Sequence, residues 1–100
     1  MVMLTSYVAL RTFLDAHLDE ILSKLGKEFH SDAFIKTFSL IYPNEYADSL
    51  LFAKSYGLLH SWIVRCYLKK CDRVRDLGLD PKPRKAVLGS TTHNHRWAKR

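Results

Sequence analysis

Between Tyr7 and Leu25 the apolar residues Tyr7, Leu10, Leu14, Leu18, Ile21, Leu22 and Leu25 recur at spacings of three and four, with Thr12, Asp15, Asp19 and Ser23 on the opposite side. A 3.6-residue period gathers the first set into one stripe of an amphipathic α-helix, which must be covered by other elements. Gly26, just past the last apolar position, predicts a left-handed C-terminal cap.

The period returns in "FHSDAFIKTFSLIYP", where Phe34, Ile35, Phe38, Ile41 and Tyr42 share an arc and Lys36 and Ser39 face away. Ser31 is the expected N-cap of this second helix, and Asp32 suits the positive end of its dipole. Pro43 stops it. Asn44 is then the expected cap of a third helix. Drawn as one continuous helix over 45–71, that segment carries two apolar stripes. Phe52, Tyr56, Leu59, Ile63, Cys66 and Tyr67 form one; Tyr46, Leu50, Ala53, Val64 and Leu68 form the other. Gly57 falls in the second stripe, where it either admits a close helix crossing or breaks the helix.

Beyond Gly78 no helical period survives, and Pro81, Pro83 and Gly89 punctuate the chain. "KAVLG" and "HRWAK", separated by "STTHN", are short alternating segments suited to a hairpin or an ordered extension. The expected fold class is therefore mainly α: three to four helices around one core, with a short basic C-terminal β-hairpin or extension. One domain spans 1–100, with a helical core over 1–77 and the basic hairpin or tail over 78–100. Composition agrees, since 47% of the 100 residues are hydrophobic and only seven are Gly or Pro.

No apolar run approaches the roughly 20 residues that a membrane-spanning helix needs. The opening "MVMLTSYVALRTFL" has neither a basic leader nor a small-residue cleavage site, so it reads as part of a soluble, cytoplasmic protein. Cys66 and Cys71 stand about 140° apart around a helix, which rules out an ordinary disulfide there and fits reduced thiols.

Two chemical readings find little support. Cys66, Cys71, His93 and His95 are all zinc-ligand types, but the cysteines diverge on a helix and His-x-His converges only on a strand. No metal or other cofactor is expected. His17, His30 and His60 are scattered, with no Ser, Cys or carboxylate at a spacing that defines a catalytic set, and the four glycines are isolated rather than arranged as a phosphate cradle. His60 in "LLHSWIVR" reads as a core histidine. A non-catalytic role follows.

Charge carries the functional signal. Residues 1–60 hold five Lys/Arg against seven Asp/Glu, a net −2, whereas residues 61–100 hold eleven against three, a net +8. Such a split fits a basic surface that meets a polyanion. Helix two, the turn "YPNE" and helix three resemble a helix-turn-helix in order, and the basic hairpin resembles a wing, so the outline is winged-helix-like. The expected function is small-scale, non-catalytic nucleic-acid binding, regulatory or accessory, with DNA the favoured target. Arg65, Lys69, Arg73, Arg75, Lys82, Arg84, Lys85, Arg96, Lys99 and Arg100 are the expected phosphate contacts. Thr91, Thr92 and Asn94 could add polar contacts in a groove. Glu45 and Asp48 run against this, because they lie where a recognition helix is normally basic.

The alternatives are a helical interaction module for an acidic protein partner, or a homodimer built on the broad apolar surface of "SYGLLHSWIVRCYLKK". In the plainest reading the cations are a solvated face, Lys70 and Arg73 snorkel over the apolar stripe, and Trp97 pins the last residues onto the helices.

Overall fold

The computed structural model of the chain describes residues 4–85 and 91–100, with side chains at all of these except 80–85 and 91–94. Helix α1 (Tyr7–Ser23) starts at Ser6, whose Oγ accepts the Ala9 N–H at 3.2 Å. It buries Leu10, Leu14, Leu18, Ile21 and Leu22, the stripe expected from the spacing. Its end differs from the expectation. Lys24 and Leu25 donate to the carbonyls of Ile21 and Leu22 at 3.1 and 3.0 Å, closing the helix in a tight turn, and Gly26 does not take the left-handed conformation.

A three-residue strand, β1 (Glu28–His30), leads directly into α2 (Ser31–Ile41). The N-cap of α2 is His30, not Ser31. The Ser31 hydroxyl is drawn inward, where it accepts the Trp97 indole N–H at 2.8 Å and donates to the His95 carbonyl at 3.2 Å. A buried indole N–H needs a partner, and that demand takes the serine away from capping.

Pro43 does more than stop α2. Tyr42 is the sole junction residue, and Pro43 opens α3 (Pro43–Ala53) at the first helical position, where a missing N–H costs nothing. Asn44 is therefore inside the helix rather than its cap. The expected continuous helix over 45–71 is broken at Lys54–Ser55: Lys54 has φ 68, and the Ser55 Oγ caps α4 (Tyr56–Trp62) by accepting the Leu58 N–H at 3.0 Å. This break resets the helical phase. Tyr56, expected in a buried stripe, is 48% exposed, while Leu59, Ile63, Tyr67 and Leu68 stay buried.

Gly57 is not the break. It is exposed in the first turn of α4, and a Cβ there would meet only the Ser55 Oγ, at 3.8 Å. Gly57→Ala is expected to stabilise the chain by about 0.5–1 kcal/mol through reduced unfolded-state freedom. That should raise the thermal midpoint by about 4 °C, readable by circular dichroism. A lowered midpoint would show that the helix needs the bare backbone.

After α4 the chain continues through a wide π-helical turn (Ile63–Tyr67) and a tight 3-10 turn (Leu68–Lys70) into β2 (Val74–Lys85) and β3 (Thr91–Lys99). The three strands form an antiparallel sheet in the order β1-β3-β2. Phe29 and Asp76 flank Trp97 on one face; Glu28 and Arg75 flank Ala98 on the other. The register slips by one residue at Leu77, and Gly78 occupies φ 86 there, a bulge geometry that a side chain resists. β2 is an edge strand, where prolines such as Pro81 and Pro83 are tolerated, and its register shifts again between Leu79 and Pro83.

One core joins the sheet to the helices, with Leu10, Leu14, Ile21, Phe34, Phe38, Leu59, Ile63, Leu68 and Trp97 almost fully enclosed. Burial of Leu68 and partial burial of Val64 take up within the chain much of the broad apolar surface seen in the sequence. The protein is thus mainly helical with a small three-stranded antiparallel sheet. Among the described residues no helix is long and apolar enough to cross a membrane.

Candidate nucleic-acid interface

The cationic residues expected to meet phosphates divide by what they already hold. Arg65 and Lys69 are exposed on the helix that follows α4, and Arg75 is exposed on β2. None of the three forms an ion pair among the described residues. Arg73 pairs with Asp19 of α1, and Arg96 reaches Glu28 of β1 at 2.9 Å. Lys99 Nζ donates to the Leu25 carbonyl at 2.6 Å, and Arg100 Nε to the Val74 carbonyl at 3.1 Å. These last four are engaged within the chain, in or beside the sheet. The side chains of Lys82, Arg84 and Lys85, like those of Thr91, Thr92 and Asn94, lie outside the described residues.

Local helix geometry decides which cations face outward. In the π turn the Leu68 N–H reaches the carbonyls of Ile63 and Val64. The Arg11 guanidinium of α1 donates to the Cys66 carbonyl at 3.1 Å while lying 5.6 Å above the Trp62 ring, which also stacks on Tyr7 at 4.8 Å. A cation held over an aromatic face thus props the wide turn from inside, with Arg65 on its outer side. The 3-10 turn that follows has three residues per turn rather than 3.6, and both Lys69 and Lys70 emerge exposed. The exposure of Lys70 is compatible with the plain reading in which it snorkels over the apolar stripe.

A cleft of about 330 Å³ lies beside this surface, lined by Arg11, Asp15, Tyr67, Lys70, Cys71 and Arg73 among others. Two of its polar groups are engaged with each other. Tyr67 donates to Asp15 Oδ1 at 2.8 Å, and burial together with that carboxylate pushes the phenol's pKa far up. Burial also raises the Cys71 thiol, so the cleft holds no readily ionised nucleophile.

His95 Nε2 contacts the Asp76 carboxylate beside the β2 bulge, and its ring packs against Trp97, tilted by 30° with the centroids 4.6 Å apart. Burial pushes Asp76 upward, but the Gly78 N–H at 2.7 Å and the His95 ring outweigh it and hold the carboxyl below its ordinary range. The charge of Lys69 acts in the same direction, so Asp76 is held on the sheet by Gly78 and His95 and partly offsets Lys69 as well. His60 is half-buried with Nε2 2.7 Å from the Tyr46 hydroxyl, a core histidine whose pKa burial lowers. Among the described residues no three His, Cys, Asp or Glu side chains converge as a metal site. Comparison with protein-family models, with curated proteins and with solved structures found no match.

Proposed function

We propose that this protein binds nucleic acid without catalysing a reaction, through the basic surface that runs from the end of the fourth helix onto β2. One observation carries the reading: Arg65, Lys69, Lys70 and Arg75 are all exposed within eleven consecutive residues, and among the described residues none of them forms an ion pair, Lys69 alone feeling the charge of a carboxylate, Asp76. Exposed cations at this density are suited to phosphates, because each neutralised phosphate releases condensed counterions and gains free energy at low salt. The outline adds to it. Helices followed by an antiparallel hairpin, whose last strand pairs back onto β1, resemble a winged helix, with β2 and β3 in the place of the wing. A regulatory or accessory role on DNA fits that outline.

Fluorescence anisotropy of a labelled mixed-sequence duplex and a single strand, titrated with protein from about 50 to 200 mM salt, tests the reading. Binding that falls steeply across this range is the expected result. No binding at the low-salt end overturns it.

A second reading, a helical module for a protein partner, draws on Val8, Leu40 and Leu51, which are 76%, 70% and 71% exposed on three different helices. It gains ground if the anisotropy stays flat.

A further inference from the structure

We infer that α4 and the turns that extend it are the part of this protein that reads base sequence, and that the nucleic acid is B-form duplex DNA. The inference rests on the nucleic-acid reading above and goes further by naming the duplex, the groove and the residues. Leu58, Ser61, Arg65 and Lys69 are all exposed and follow one another at spacings of three, four and four, so they form one outward stripe along α4 and its extension. The stripe contains no acid. It joins an isobutyl group and a hydroxyl on α4 to two cations on the turns that follow, and Leu58 is 62% exposed where a soluble helix would ordinarily place a polar residue.

That mixture matches the chemistry of a major groove. Arg65 can donate two hydrogen bonds to the O6 and N7 of guanine, Ser61 can donate to or accept from a base edge, and Leu58 can cover a thymine methyl. Lys69 at the end of the stripe falls where a phosphate rail would run. A helix about 10–12 Å across fits the roughly 12 Å major groove of B-DNA. The deep, narrow major groove of A-form RNA would exclude it.

The break at Lys54–Ser55 is what makes the assignment work. Because α2 and α3 are joined through Tyr42 alone, the only two-residue turn between helices in this region precedes α4, and the helix-turn-helix order shifts one helix along the chain. Glu45 and Asp48, which argued against the third helix as a reader, then belong to the preceding helix α3. Asp48 is also engaged there, accepting the Leu4 N–H at 3.2 Å.

The experiment compares a DNA duplex, an RNA duplex of the same sequence and a single strand by anisotropy, then selects sites from a randomised duplex pool with wild type, Ser61→Ala, Arg65→Ala and Lys69→Ala. The DNA duplex should bind about tenfold or more tightly than the RNA duplex. Ser61→Ala and Arg65→Ala should each relax the selected site at particular positions by about tenfold. Lys69→Ala should instead weaken all sequences alike. Circular dichroism of each variant checks the fold, which these exposed positions should not disturb. Equal binding of all three nucleic acids, or an unchanged selected site in both the Ser61 and Arg65 variants, would overturn base reading by α4 while leaving polyanion binding in place. Absence of binding to any of the three would instead remove the nucleic-acid reading itself, and this inference with it.

Discussion

Trp97→Ala is expected to cost about 3–5 kcal/mol of stability, the range for deleting a fully buried large aromatic. The ring is 1% exposed, its N–H is satisfied by Ser31 at the start of α2, and it packs against His95 while standing across the sheet from Phe29. Removing it opens a cavity where β3, α2 and β1 meet and takes away the donor that holds the Ser31 hydroxyl in the core. A small domain has only about 5–15 kcal/mol in total, so the loss is a large share. Urea unfolding followed by circular dichroism measures it, and Trp97→Phe, which keeps most of the bulk and loses the hydrogen bond, should cost about 1 kcal/mol. A loss below about 1 kcal/mol for the alanine variant would mean the ring does not close this core.

The second large effect concerns binding. Changing Arg65, Lys69 and Arg75 together to alanine is expected to lower nucleic-acid affinity by about two orders of magnitude near 0.1 M salt and to reduce the log-log salt slope by about 2.7, from three lost phosphate contacts. All three are exposed and without ion pairs among the described residues, so the fold should not change. Arg73→Ala and Arg96→Ala are the comparison. Asp19 and Glu28 already offset these two, and each substitution should flatten the slope by less than one contact's worth. If Arg73 and Arg96 mattered as much as the triple set, the interface would lie across the sheet rather than along the helix.

The parts of this fold that could be read from the sequence are those where a single period runs without interruption. The stripe of α1 and the arc of Phe34, Ile35 and Phe38 in α2 each follow from spacing alone, because every member faces one core. The break at Lys54–Ser55 did not stand out. Lysine carries no preference for positive φ, and apolar residues on both sides continue a helical pattern across it, although Ser55 was a capping residue in plain view. Strand β1 is only three residues long, too short to show alternation, and exists because β3 supplies its partners. The bulge at Leu77 and the prolines at 81 and 83 hid β2, whose first residue, Val74, still lies in what read as the end of a helix.

The candidate surface was legible in its charge and not in its detail. A run of cations in the second half was evident from composition. Which ones are spent on Asp19, Glu28 and backbone carbonyls depends on contacts between distant segments that no local pattern encodes.

Those same distant contacts set the tempo at which the molecule assembles. The middle strand of the sheet, β3, meets partners 64 to 68 residues earlier in the chain, at Ser31 and Glu28. Helical turns form within about a microsecond, whereas pairings between such remote segments must wait for a long loop to close against its entropy. The helices therefore form and begin to collapse while the groove for the Trp97 ring is still open, and β1, which has no other neighbour in the sheet, can become a strand only when β3 arrives. Docking of β3 is therefore the step at which β1, the sheet and the pocket of Trp97 are completed together.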